Sequence, residues 1–448
     1  MNTGVSVSAL DDWRPAQADG ASDDISPSDP WLPSIGLYLY LITSILRPQD
    51  WWPPLLGQPV DYFCFALILL GVLNPLGLSR LHEALTSQLS KLILAYVLVA
   101  VLSIVASGGF AILWDRAVAH LDLYIVFLGF AAFTRRPRQI AFLLFLVVLQ
   151  AALLAYQGQT LVETGTGWAG QGLYWGGRIR WVGQYDGANV LCMLFAVALA
   201  FAFTLVVGPW SFLLKLPIIL LTSIIVHGVY LTNSRGGFLA VLVATVLTVL
   251  LRRTDRPLAF GMGRMFMAGL TAVLVLGVAP SRIEQLNDDQ HSTAGRIDAW
   301  QEGFEMLRSN PLLGIGDGRW KEHHFRLAHN STVQTMGEMG LAGLIAWLAV
   351  LYACGKGLLS IRIPTRPDRE RSLATGVLVA LGAFVASSFF ITTVQFDLTY
   401  ILAGLSVSLA RGNRDARLNQ RDVVRILLFA VMSVLVVYVT ARVFYATT

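Results

Sequence analysis

Residues 187–207, GANVLCMLFAVALAFAFTLVV, form a continuous apolar run without a single charged side chain. A helix of roughly 20 such residues crosses the hydrocarbon core of a bilayer, and similar runs recur along the whole chain. Of the 448 residues, 55% are hydrophobic and 14% are charged, whereas a water-soluble domain carries about 25% charged residues. The sequence therefore predicts an all-α polytopic membrane protein with about 12–13 transmembrane helices.

The predicted organisation is a single transmembrane domain over residues 31–445, preceded by a tail. Residues 1–30 are rich in Asp, Ser and Pro and lack a basic start followed by an apolar core, so we expect a disordered tail rather than a signal peptide. The three cysteines lie inside apolar runs, which argues against a disulfide framework. The candidate spans lie near residues 31–46, 60–78, 91–107, 118–134, 139–156, 187–207, 214–232, 237–251, 262–279, 333–354, 373–394, 398–410 and 423–444.

Basic loops between these spans predict the topology. Clusters of Lys and Arg at 134–139, 252–256, 356–371 and 411–422 are expected in the cytoplasm by the positive-inside rule. The number of spans between the clusters is consistent with all four assignments. Two longer loops, 156–186 and 280–332, then lie on the other side. We expect 280–332 to be a large, partly helical periplasmic loop that carries the active-site region.

Several arginines fall on this outer face, against the charge rule. They are Arg178, Arg180, Arg235, Arg282, Arg296, Arg308, Arg319 and Arg326. Guanidinium groups bind phosphate oxygens in pairs, so the excess indicates an anionic ligand. The alternative for each single arginine is contact with lipid headgroups or with local acids such as Asp288 and Asp289.

Five short motifs follow one another on the predicted outer face. They are GGRIRWVGQYDGAN (176–189), NSRGG (233–237), STAGRIDAWQEGF (292–304), PLLGIGDG (311–318) and AHNSTVQTMGEMG (328–340). The third motif opens an amphipathic helix that we expect on the membrane surface, because Ile297, Trp300, Phe304 and Leu307 recur at helical spacing. Pro311 and the glycines after it are expected to end that helix.

The fifth motif predicts the start of a membrane helix. Asn330 or Ser331 can cap its first turn. Asn330, Gln334 and Glu338 recur every four residues and form one inward polar stripe, while Gly337, Gly340 and Gly343 form a smooth packing face. An acidic residue inside a membrane helix indicates either a functional role or a partner for one of the arginines.

This order of motifs resembles the O-antigen ligase and O-antigen polymerase superfamily, over roughly residues 175–350. The resemblance implies a multi-spanning glycosyltransferase that uses an undecaprenyl-pyrophosphate-linked glycan on the periplasmic side and needs no nucleotide sugar, metal or other cofactor. By position in the motifs, His329 matches the required histidine. Arg180, Arg235 and Arg296 are the first candidates for the required arginines; the further candidate substrate-binding residues are Arg178, Asn189, Asn330, Glu338 and Asp397. GQYDGAN stands where many members carry Asp-Pro-Asn, and the motif around Asp397 is weak.

The chemistry implied by the resemblance suits these residue types. An acceptor hydroxyl displaces undecaprenyl pyrophosphate from an anomeric carbon, and one such displacement inverts that centre. The protein must then supply cations for the leaving group and position for the acceptor. A histidine near neutral pKa can take the hydroxyl proton, and a residue at the water–lipid boundary reaches both substrates.

Four functions remain open at this stage. We expect ligation of O-antigen to lipid A-core in lipopolysaccharide synthesis, in a bacterial inner membrane. The alternatives with the same donor are a polysaccharide polymerase and a protein O-oligosaccharyltransferase. A transporter of anionic lipid-linked substrates is the alternative from another class, although no internal repeat is visible. His323, His324 and His329 have no familiar zinc-ligand spacing, so no metal site is predicted.

Overall fold

The computed structural model describes residues 31–251, 290–363 and 365–447. The predicted tail 1–30, the span 262–279, the basic cluster 252–256, Arg282, and the acids Asp288 and Asp289 lie outside these residues. The described residues are α-helical and contain no β-strand, which confirms the all-α prediction. The helices are α1 (Trp31–Ile45), α2 (Val60–Leu70), α3 (Pro75–Thr86), α4 (Gln88–Ala106), α5 (Phe110–Phe133), α6 (Pro137–Thr164), α7 (Ala188–Val207), α8 (Phe212–Thr232), α9 (Arg235–Leu251), α10 (Gln290–Ser309), α11 (Trp320–His323), α12 (Ser331–Ser360), α13 (Asp368–Ser388), α14 (Asp397–Ala410) and α15 (Gln420–Thr447).

Many of these helices are suited to a membrane. In the described ranges, eight are long and apolar enough to cross a bilayer, and α1, α9 and α14 are shorter apolar helices. The predicted span 60–78 needs correction, because α2 and α3 meet at an angle of 109°. The break has a local cause. Asn74 accepts a hydrogen bond from the Gly77 N–H at 2.7 Å and starts a new helix, and Pro75 fits its first turn.

Helix α7 lies at the centre of the bundle. It is apolar on all sides, as expected for a helix surrounded by others. In its apolar membrane-spanning stretch, 83% is buried inside the protein. It packs against α6, α8, α9 and α13. The contact with α9 is close, because a Cβ on Gly237 would lie 2.1 Å from the sulfur of Cys192. The opening apolar run therefore forms the core around which the other spans assemble.

The predicted basic loops lie at one end of the bundle. Lys356 donates a hydrogen bond to the Arg417 carbonyl at 2.5 Å, and Ser408 donates to the carbonyl of Thr134. Arg362 donates to the carbonyl of Leu251, the last described residue before the cluster 252–256. These contacts join the loops that the charge rule assigned to a common face.

The environment of helix α10 differs from the prediction, which placed this helix on the membrane surface. The helix exists, but its apolar side packs against α12 and α15 and is covered by protein. Met306 is buried in a cluster with Val333 and Met336. Phe304 meets the ring of Tyr438 edge-on, with centroids 5.6 Å apart. Amphipathic spacing specifies only that one face is covered, and here neighbouring helices cover it.

Helix α12 is broken at Gly340, where φ is 65° and ψ is −162°. Segment 311–316 supplies hydrogen bonds on both sides of the break. The N–H groups of Leu341 and Ala342 donate to the carbonyls of Pro311 and Leu312 at 2.9 and 3.2 Å. The carbonyls of Gly337 and Glu338 accept from residues 315 and 316 at 3.1 and 2.8 Å. Gly340 was expected on a smooth packing face, but it is the hinge that admits this segment.

Candidate active site

The loop that carries His329 is fixed by two tryptophans and one cap. Trp320 Nε1 donates to the carbonyl of Arg326 at 2.8 Å, and Trp300 Nε1 donates to that of Ala328 at 2.9 Å. The Asn330 side chain accepts from two N–H groups in the first turn of α12, at 2.9 and 3.2 Å. Between these fixed points His329 has a φ of 46°, an uncommon left-handed conformation for a residue with a side chain.

His329 lies on the wall of a cavity of about 570 Å³ at the start of α12. The other charged residues on this wall are Arg116, Asp186, Asp317, Lys321 and Glu338. Amide side chains of Gln184, Gln334 and Gln395 also contribute. The cavity therefore combines one histidine, two cations, three acids and several hydrogen-bonding groups, a set suited to a charged and hydroxyl-rich ligand.

The His329 residue retains accessible surface, while protein surrounds much of its ring. The described residues provide no hydrogen-bond partner for the imidazole. Desolvation by the surrounding protein and the positive charge of Arg296 lower the pKa of His329 from 6.5 to about 4. The ring is therefore neutral at pH 7. A neutral imidazole without a protein partner can accept a proton from a bound hydroxyl.

Beside His329, Asp317 anchors the glycine-rich segment. Its carboxylate accepts from Arg116 Nε and from His120 Nε2, both at 2.9 Å, and only 2% of the residue is exposed. Burial alone would raise the pKa of Asp317, but His120 and Arg116 outweigh burial and lower it. This network joins α5 to the loop before α11 across about 200 sequence positions. The sequence analysis did not select Asp317, because its partners lie about 200 positions away in the chain.

Glu338 is buried on the inner wall of the cavity. Its Oε1 accepts the backbone N–H of Trp320 at 3.0 Å, so the carboxylate fixes the start of α11. Gln334 and Asn330 are buried on the same helix, which confirms that the polar stripe faces inward. Glu338 thus has a positioning contact in the protein and also faces the cavity.

The predicted arginines occupy three kinds of position. Arg296 lies on α10 and acts electrostatically on His329. Arg180 pairs at 3.0 Å with Asp186, which lines the cavity. Arg178 lies outside the cavity wall, with its guanidinium near the Trp175 carbonyl and over the ring of Tyr174 at 5.1 Å.

The start of α9 is held close to α7. Ser234 donates to the Asn189 side chain at 2.8 Å and accepts from the Gly237 N–H at 3.0 Å. Arg235 is exposed at this turn and is not part of the cavity wall. Asn189 is therefore bonded within the protein, next to the wall residue Val190.

Asp397 lies behind the cavity. Its carboxylate accepts from Gln184 at 3.2 Å, and Gln184 itself lines the wall. Tyr40 also hydrogen-bonds to Asp397. The structure thus places Asp397 one residue away from the cavity surface, where it can orient Gln184.

Lys321 is a candidate that sequence reasoning did not select. Its side chain lines the cavity with His329, and it has no ion pair within the described residues. The only sequence signal is its place after the GDGRW stretch, since a single lysine in a wet loop is common. The geometry makes it a cation available to a ligand.

Two comparisons with known proteins bear on this site. The sequence model of the O-antigen ligase family matches residues 218–348, which include Arg235, Arg296, His329 and Glu338. The match confirms the resemblance that the motifs indicated. No curated protein sequence matches the chain.

Proposed function

Because residues 218–348 match the sequence model of the O-antigen ligase family, we propose that the chain transfers a glycan from undecaprenyl pyrophosphate to an acceptor hydroxyl at the periplasmic face of a bacterial inner membrane. The acceptor assigned here is lipid A-core, in lipopolysaccharide synthesis. The family match and the multi-pass helices support a membrane glycosyltransferase. The donor, the acceptor and the membrane face belong to the proposal.

One arrangement carries the catalytic assignment: His329 lies on a cavity wall with Arg116 and Lys321, and its imidazole has no hydrogen-bond partner among the residues that the structure describes. In the proposed reaction, the acceptor oxygen forms a bond to the anomeric carbon of the donor sugar. The bond from that carbon to the pyrophosphate oxygen breaks, and undecaprenyl pyrophosphate leaves with the electron pair. His329 takes the acceptor proton, and attack opposite the leaving group inverts the anomeric centre.

The cations of the site would stabilise the leaving pyrophosphate. Lys321 lies on the cavity wall, and the charge of Arg296 acts on His329 from α10, outside that wall. The proposal assigns the contacts with phosphate oxygens to these two cations. Arg116 is committed to Asp317 at 2.8 Å and serves the fold of the loop. Preorganised charges of this kind lower the barrier without reorganisation during the reaction.

The test is a transfer assay with the full-length protein in detergent. Undecaprenyl-pyrophosphate glycan is supplied with lipid A-core, or alone, in the presence of a chelator. Wild type is compared with His329→Ala, and His323→Ala serves as the matched histidine control from the same loop. We expect product on lipid A-core with wild type and the control, and a loss of about 10²-fold or more with His329→Ala.

Other outcomes point to the alternatives. Longer donor-linked chains without lipid A-core would identify a polymerase, and transfer to a protein acceptor would identify a protein O-oligosaccharyltransferase. Equal activity of His329→Ala and wild type would reject His329 as the base. Absence of every product would favour transport of a lipid-linked anion.

A further inference from the structure

A second cavity, of about 390 Å³, lies where the basic loops meet. Its wall combines the ends of α5, α12 and α14 with the start of α4. Four arginines line it against one acidic residue, together with amide and hydroxyl side chains such as Gln88 and Ser406. The arginines are Arg135, Arg411, Arg414 and Arg417, and the acid is Glu83.

This basic cavity lies far from His329. Helix α12 begins two residues after His329, and Gly357 near its other end lines the basic cavity. At ~1.5 Å per residue, the stretch from Ser331 to Gly357 covers at most about 40 Å and is shortened by the break at Gly340. This length is close to the thickness of a bilayer with its headgroup regions. Helix α14 has the same direction, because Asp397 at its start contacts Gln184 of the active site and Arg411 follows its end. The two cavities therefore open at opposite ends of the bundle.

The charges of the basic cavity are mostly unneutralised. Glu83 is paired with Arg135 at 2.6 Å, and Arg135 also donates to the Ala132 carbonyl at 2.7 Å. The side chains of Arg411, Arg414 and Arg417 have no hydrogen bond or ion pair within the described residues. Burial and the positive charge of Arg135 lower the pKa of Arg411, and together they outweigh the opposite influence of Glu83 and Glu370.

We propose that this cavity binds a phosphate group, carried either by the headgroup of an anionic phospholipid or by a soluble phosphate. Guanidinium groups pair with phosphate oxygens in a planar, bidentate geometry. The apolar part of the wall, which includes Leu89, Ala131 and Val407, belongs to membrane helices and favours the lipid source. Basic pockets between transmembrane helices on the arginine-rich face are suited to anionic headgroups.

The test measures thermal unfolding of the full-length protein in detergent during titration with phosphatidylglycerol, phosphatidylcholine or inorganic phosphate. Wild type, Arg411→Gln and Arg421→Gln are compared. Arg421 is exposed near the same face but does not line the cavity, so it controls for the loss of one charge. We expect phosphatidylglycerol, but not phosphatidylcholine, to raise the unfolding temperature. Arg411→Gln is expected to weaken the apparent affinity about five-fold, with Arg421→Gln unchanged.

The remaining outcomes are equally informative. A shift with inorganic phosphate that is also weakened in Arg411→Gln supports the site with a soluble ligand. If neither ligand shifts unfolding, or if Arg411→Gln and Arg421→Gln both match wild type, the proposal is overturned. Arg414→Gln is a second cavity variant for use if Arg411→Gln does not fold.

Discussion

Trp300 Nε1 donates a hydrogen bond of 2.9 Å to the carbonyl of Ala328, the residue directly before His329. This bond ties the loop to α10, the helix that also carries Arg296. Helix α10 therefore carries Arg296 and also one of the contacts that fix the His329 loop. Changes in α10 should therefore act on the chemistry as well as on stability.

The Trp300→Phe variant keeps most of the apolar ring but loses this hydrogen bond. We expect kcat to fall about ten-fold or more, because a displaced base loses alignment with the hydroxyl. Stability should fall by only about 1 kcal/mol, the usual contribution of one hydrogen bond. Steady-state transfer assays and thermal unfolding check the two effects separately.

Trp347→Phe is the matched control, because the buried Trp347 Nε1 has no hydrogen-bond partner within the described ranges. Its kcat should remain near the wild-type value. A Trp300→Phe enzyme with unchanged kcat would show that the indole contributes only packing.

The pH profile should follow the lowered pKa of His329. In the proposed reaction the neutral ring of His329 is the base, so activity should be lost as the pH falls through its pKa. Wild-type kcat/KM should be flat around neutrality and fall only near pH 4. Arg296→Gln removes one cause of the lowered pKa and should move the falling limb toward higher pH, whatever its effect on the maximal rate.

Arg308→Gln provides the control for this shift, since Arg308 lies exposed in the last turn of α10. Its profile should coincide with that of wild type. An Arg296→Gln midpoint identical to that of wild type would contradict an electrostatic action of Arg296 on His329.

Lys321→Met should weaken binding of the pyrophosphate donor. Loss of one charge-assisted contact, which contributes about 1.5–3 kcal/mol, predicts at least a ten-fold higher KM for the donor. The KM for lipid A-core should stay the same. The control is Lys91→Met, which removes an exposed lysine near the start of α4 and should leave both KM values unchanged. Equal effects of the two variants would show that Lys321 is not part of the donor site.

Gly340→Ala should disrupt the break in α12. An added Cβ would lie 2.4 Å from the carbonyl carbon and oxygen of Leu312, at a backbone angle that disfavours a side chain. We expect a loss of about 3 kcal/mol in unfolding free energy, together with loss of transfer. Gly355→Ala on the same helix meets only Leu381 at 3.9 Å and should be neutral, and thermal unfolding of both variants gives the comparison.

Several features of this fold could be predicted from the sequence because they depend on local patterns. Apolar runs predicted α1, α4, α7, α8, α9, α14 and α15 to within about three residues, whereas α5, α6, α12 and α13 extend or shift further at one or both ends. The Asn330 cap and the inward stripe follow from spacing along one helix. The Gly340 break was not predictable, because glycine is common in membrane helices and its φ is not encoded locally. The Arg116–Asp317–His120 network was also not predicted, because Asp317 lies about 200 positions from its two partners. The place of Asp397 behind Gln184 likewise depends on tertiary packing.

The hydrogen bonds between segment 311–316 and the two sides of the α12 break have a consequence for protein engineering. Residues 311–342 contain both the donors and the acceptors of this exchange, and His329 lies between them. A chimera that replaced only the loop, or only the helix, would leave backbone groups unpaired at membrane depth, where each costs several kcal/mol. An experiment that exchanges glycan-donor or glycan-acceptor specificity between related proteins should therefore transfer residues 311–342 as a single segment.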